Sequence, residues 1–182
     1  MAINNREVAA RNAEKSTRNV PDGCQLWTRT QFNAPSAGDQ DHDGDADAVD
    51  GWKSEPVSAR HHDRNAPRGV PVAWAGGSRG HGHRAISLGG GKIRTTDGAG
   101  RGVVATHDID WPEREWGLTY LGWSETIDGF RIPVPPKTRG PLVDSAIGKL
   151  VKAQANTKSP RRRKVLTHSI NALRKLKRYA KP

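Results

Sequence analysis

Three consecutive glycines, Gly89-Gly90-Gly91, place the tightest constraint on how this chain folds. They separate two short alternating stretches, His83 to Leu88 and Lys92 to Thr95, and so predict an antiparallel hairpin. In the first stretch Ala85 and Ser87 alternate with Ile86 and Leu88, the two-residue period of a strand. Val70 to Trp74 before the hairpin, and Gly102 to Thr106 and Leu118 to Trp123 after it, predict further strands. Upstream the pattern is helical. Asn5 to Lys15 has Asn4 or Asn5 available as a cap, and a second helix starts at Cys24 behind the Pro21-Asp22-Gly23 break, with Asp22 as its candidate cap. Ala46 to Lys53 predicts one or two more turns of helix. Helices first and strands afterwards predict an α+β fold, with N-terminal helices packed on an antiparallel sheet.

The charge divides the chain again. Lys137 to Pro182 holds 14 Lys and Arg against one acid, Asp144, so the rest of a chain of net charge +11 carries −2. Residues 1–129 read as the folded body and residues 130–140 as a Pro-rich linker. Residues 141–182 read as a basic αα-hairpin, because Val143 to Leu150 aligns with Leu166 to Leu173. Such a tail attracts polyanions: anionic wall polymers, a membrane surface, or nucleic acid. A hydrophobic content of 34% fits one modest core. No window is apolar enough to span a membrane, and Met1 to Thr17 lacks the apolar run of a signal peptide. A monomer made in the cytoplasm is expected.

The one cysteine, Cys24, is either a buried filler or a reactive thiol. Its place at a helix start favours thiolate, since the helix dipole and free N–H groups stabilise negative charge there. A nucleophilic thiol also needs an imidazole and a group to orient it. His83 opens a strand behind Gly76-Gly77-Ser78-Arg79-Gly80-His81-Gly82, where small residues leave room for substrate. The adjoining strand ends in Thr95-Thr96-Asp97, so Asp97 or Thr95 is within reach of that ring, Asp97 being preferred for its charge. His81 is a weaker rival base and a candidate substrate contact.

Gly23-Cys24-Gln25-Leu26-Trp27, Val70-Pro71-Val72-Ala73-Trp74, Gly82-His83-Arg84-Ala85-Ile86-Ser87 and Leu88-Gly89-Gly90-Gly91-Lys92-Ile93 occur in the order of the CHAP domain. That family of cysteine, histidine-dependent amidohydrolases and peptidases is related to the NlpC-type peptidoglycan peptidases. The resemblance spans roughly Arg6 to Trp123 and resembles most a lysin of phages that infect actinobacteria. It implies a papain-like fold and cleavage of an amide bond in peptidoglycan by Cys24 and His83, with Trp27 and His81 near the substrate. Arg84 departs from the pattern, standing where the family has an apolar residue.

Residues 39–50 fit the register of a calcium loop. Asp39, Asp41 and Asp43 take the first, third and fifth positions, Gly44 the turn, Asp45 the seventh, Asp47 the ninth and Asp50 the twelfth. Six carboxylates in twelve residues repel one another without a cation, so structural Ca²⁺ is expected here. Trp111, Trp116, Tyr120 and Trp123 suit either packing or a substrate groove. Two other classes stay open beside the hydrolase. One is a virion or tail-associated structural protein with an inactive hydrolase fold. The other is a nucleic-acid-binding protein acting through its tail.

Overall fold

A computed structural model describes the backbone of residues 2–135 and 140–179. The chain forms two compact units, residues 1–134 and residues 135–182. The first is mixed α and β around a six-stranded antiparallel sheet. It runs beyond residue 129, into what the sequence suggested was linker. Thr126–Ile127 (β7) and Phe130–Arg131 (β8) pair as a small hairpin, and Ile132 is buried in the core.

Helix α1, Arg6–Lys15, begins where the Asn5 side chain accepts the N–H groups of Glu7 and Val8. Helix α2, Cys24–Phe32, has Gly23 at its cap position and no side-chain cap. Asp22, expected there, adopts φ 62° and pairs with Arg101 at 2.9 Å instead. Helix α3, Ala48–Ser54, is fixed by a capping box: Asp47 accepts from the chain ahead of it, and Asp50 reaches back to the Asp47 N–H.

The strands are β1 (Arg60–His61), β2 (Pro71–Ala75), β3 (His83–Gly89), β4 (Lys92–Thr95), β5 (Ala105–Asp108) and β6 (Thr119–Ser124), in the sheet order β1-β6-β2-β3-β4-β5. The glycine turn joins β3 to β4 as expected. Strand β5 starts three residues later than the sequence suggested. Residues 98 to 103 close a tight turn, in which the Gly98 N–H meets the Val103 carbonyl and the Val103 N–H meets that of Gly100. A short helix α4, Trp111–Trp116, lies between β5 and β6.

The alternation along β3 divides the interior in two. Ile86 packs with Ala9 and Ala13 of α1 and with Trp27 and Phe32 of α2. Ala85 packs with Val72, Trp74, Ile93, Leu118 and Trp123. The sheet is therefore covered on both faces, and its central strands place His83 and Arg84 on opposite sides.

In the second unit α5, Gly140–Asn156, and α6, Pro160–Tyr179, form a helical hairpin joined by three residues. Arg161 to Arg163 lie in the first turn of α6 behind Pro160, a residue suited to a helix's first position. The Gln154 side chain donates to Thr167 Oγ1 across the hairpin at 2.6 Å. Residues 136–139 of the expected linker lie outside the described residues. Among the described residues no helix is long and apolar enough to cross a membrane.

Candidate active site

A cleft of about 840 Å³ opens between the start of α2, the glycine-rich segment from Gly76 to His83 and the loop that leads into α3. Cys24, His81, His83 and Asp97 all line it, as do Asp45 and Asp47. Cys24 is the first residue of α2, and the backbone N–H groups of Gln25 and Arg84 are directed at its sulfur. Arg84 follows His83 in β3, so the thiol is seated against the strand that carries the imidazole. Gly82 makes the entry to that strand. Its φ is +68°, and a Cβ there would overlap the Trp74 carbonyl, so only glycine fits.

The imidazole of His83 is buried. Trp116 meets it at 4.9 Å between ring centroids, and Trp74 at 6.1 Å. Its Nε2 lies 2.5 Å from Thr95 Oγ1. That hydroxyl has one hydrogen, which it donates to the Thr96 carbonyl at 3.2 Å. With its hydrogen so placed, the oxygen accepts an Nε2–H, and Nδ1 is the basic nitrogen of that tautomer. Asp97, preferred for this role from sequence, is engaged elsewhere. With φ 58° it folds back to accept the Gly102 N–H at 2.6 Å. A left-handed residue at the strand's end turns its side chain out of the pleat that carries Thr95.

Burial dominates the electrostatics. It pushes the Cys24 thiol up to about 11, against the backbone N–H groups of Arg84 and Gln25, while the charges of Asp97 and Asp47 push the same way as burial. This reverses the lowering expected of a helix start. A helix terminus supplies roughly 0.3–1 kcal/mol, less than one pKa unit of about 1.36 kcal/mol, and desolvation exceeds it. Desolvation also takes His83 down to about 3. At neutral pH the resting site thus holds a thiol and an uncharged imidazole.

Trp27, expected near substrate, lies in the helix-side core, and its Nε1 donates to Ser16 Oγ at 2.9 Å. One residue earlier on the helix, Leu26 is 46% exposed and faces the cleft. His81 is half-buried, with Nε2 3.4 Å from Asp43 Oδ2.

The acidic loop gathers its carboxylates in two overlapping groups, Asp39 with Asp41 and Asp43, and Asp43 with Asp47 and His81. Much of the donor set serves the chain itself. Asp39 accepts the N–H groups of His42 and Gly44. Asp47 caps α3, and Asp41 pairs with Lys53 at 2.6 Å. Asp43 accepts the Asp45 N–H, while the Asp45 side chain is exposed. Asp50, expected to close the loop as the twelfth ligand, is buried and accepts the N–H groups of Gln40, Asp41 and Asp47. The oxygens of Asp39, Asp41 and Asp43 suit a hard cation; the six together do not surround one point.

Sequence reasoning named two of the site's groups without placing them and missed a third. Thr95 was second choice. Trp116 at the cleft lay in the unrecognised α4, although Pro112 just inside its start and Gly117 just past its end are a helix signature. Asp128, which bonds the Gln25 side chain at 2.7 Å, sits in an Asp-Gly turn between two strand-like dipeptides, a strong hairpin signal. No family model, no curated protein and no solved structure matches the chain.

Proposed function

We propose that this protein is a papain-like cysteine hydrolase that cleaves an amide bond of bacterial peptidoglycan, as the CHAP and NlpC-type enzymes it resembles do. The observation that carries the reading is one cleft holding a thiol at a helix start and an imidazole whose other nitrogen is fixed by Thr95. In this reading Cys24 Sγ attacks the carbonyl carbon as its proton passes to His83 Nδ1. Because both groups rest uncharged, proton transfer accompanies attack. The imidazolium then gives that proton to the departing amine, and water releases the acyl group from sulfur. The Cys24 N–H, which as the first of a helix lacks an intrahelical acceptor, supports the oxyanion. The bond is the lactyl amide of an N-acetylmuramoyl-L-alanine amidase or a stem or cross-bridge amide of an endopeptidase.

The acidic loop is proposed as a structural calcium site through Asp39, Asp41 and Asp43, where the ion would offset their mutual repulsion beside the loop into α3. The basic hairpin is proposed to hold the protein on anionic wall polymers, in the manner of a phage lysin. Helix α6 carries no acidic residue.

Cys24→Ala in the full chain tests the reading. It should abolish lysis of purified cell walls, and undiminished lysis would exclude Cys24 as nucleophile. Mass spectrometry of the fragments released by the parent chain identifies the bond.

A further inference from the structure

Behind the cleft, on the helix side of β3, lies a set of polar groups that the proposed chemistry does not use. The guanidinium of Arg84 is fully buried. Its Nη2 donates to Glu55 Oε1, and its Nη1 donates to Asp128 Oδ1 at 2.7 Å and to Gln25 Oε1 at 3.2 Å. Gln25 returns a bond from Nε2 to the same Asp128 oxygen at 2.7 Å. Two carboxylates against one guanidinium leave an excess negative charge. Backbone N–H groups meet it: Asp128 and Gly129 donate to Glu55, and Ala37 donates to Asp128 Oδ2.

The network converges on the site from both sides. Gln25 is the residue after the nucleophile, and the backbone N–H of Arg84, the residue after His83, is directed at the Cys24 sulfur. Helix α3 joins through Gly51. A Cβ there would overlap Arg84 Nη1 and the Gln25 amide, so the guanidinium lies directly on the helix backbone. One buried group thus ties together the helix that carries Cys24, the strand that carries His83, the helix leaving the acidic loop and the β7–β8 turn.

We propose that Arg84, with Glu55 and Asp128, is a positioning device that sets the start of α2 against β3 through Gln25, and so sets the thiol relative to the imidazole. This rests on the cysteine-hydrolase reading for its purpose and on the hydrogen bonds for its geometry. It also accounts for a charged residue at a position where the resembled family is apolar. A buried ion cluster gives little net stability over an apolar replacement, and its attested use is to fix one arrangement. Arg suits the task because its planar fork holds three partners at once, which an ammonium on a flexible stem does not.

The test uses the full-length chain with two substitutions. Gln25→Met keeps the side chain's length and removes both of its hydrogen bonds. Arg84→Lys keeps the charge and loses the fork. Folding is followed by circular dichroism and thermal melting, turnover on purified peptidoglycan, and thiol placement by the rate of Cys24 alkylation with iodoacetamide at one fixed alkaline pH. Small misplacements of reacting groups cost up to about 100-fold, so each folded variant should lose about 10-fold or more in kcat with KM within about two-fold. The alkylation rate should change in the same variants. A folded variant with a lowered melting temperature but parental kcat and alkylation rate overturns the proposal, as does failure of both variants to fold, which would make the network a folding element. Should the parent chain not hydrolyse peptidoglycan, the functional reading fails, and the alkylation rate still decides the positioning role.

Discussion

The two walls of the cleft carry similar side chains under opposite conditions. On the dry wall Cys24 of α2 and His83 of β3 are buried, with Thr95 and the Arg84 cluster behind them equally dry. On the loop wall Asp22, Asp45 and Arg101 are exposed, and Arg101 meets Asp22 in water. Burial decides what each group can be. On the dry wall the thiol and imidazole are held uncharged, and each charge of the cluster has a partner. On the wet wall a charge needs no partner, and the pairing of Arg101 with Asp22 alters little. The dry wall is built for fixed geometry and the wet wall for meeting a polar substrate.

The largest effect should come from breaking a buried partner. Glu55→Ala removes the acceptor of Arg84 Nη2 and of the Asp128 and Gly129 N–H groups. Stranding a buried charge costs about 3–5 kcal/mol, read as a fall in the urea midpoint. Arg101→Ala on the wet wall should leave that midpoint where it was. Equal midpoints for the two variants would erase the distinction between the walls.

Acid should separate the walls next. The His83 imidazole is depressed from 6.5 to about 3. In the range between these values the unfolded chain binds a proton that the folded chain refuses. The stability conferred is therefore full above about pH 6.5 and is lost as pH falls towards 3. Half of a shift this large is still about 2 kcal/mol. His83→Gln should flatten that acid limb in urea melts taken between pH 7 and pH 4; an unchanged limb would mean that the ring is wetter than its surroundings imply. The sign is opposite for Cys24. Its raised thiol contributes stability below about pH 9 that is lost as pH rises towards 11.

A third substitution acts on rate. Thr95→Val keeps the buried volume and removes the acceptor of the Nε2–H. The ring is then free to turn, and kcat should fall about 10- to 100-fold, with Thr95→Ser retaining most of the activity. A Thr95→Val enzyme at parental rate would return the orienting role to another group.

Features set by neighbours in sequence were legible, and features set by distant packing were not. The Asn5 cap, the glycine turn between β3 and β4 and the period-two run through Ile86 are local, and the structure contains them as the sequence suggests. The thiol's direction was misread because a helix terminus is visible in sequence while the depth of the surrounding side chains is not. Arg84 stood out only as a departure. Its partners lie 29 and 44 residues further along or back, and no spacing rule joins them. One backbone angle turns Asp97 from the strand face that carries Thr95. A residue at φ 58° no longer shares the face that strand alternation gave it.

Asp97 also marks the boundary between the walls, and replacing it gives the smallest effect. It lines the cleft, and its charge adds to burial in raising the Cys24 thiol. Asn tolerates the left-handed conformation, and its side-chain oxygen can still accept the Gly102 N–H, so Asp97→Asn removes charge with little else. Loss of a nearby negative charge favours thiolate, so the pH profile of Cys24 alkylation should move to lower pH. The shift should be small, because desolvation leads among the causes and stays in place. Turnover should stay within a few-fold of parent, since the imidazole remains on Thr95. A loss of turnover as deep as that of Thr95→Val would put Asp97 back in the catalytic set, reached through a rotation of the ring on substrate binding. A profile that does not move would place the water boundary between Asp97 and the thiol, making the dry wall narrower than its buried side chains suggest.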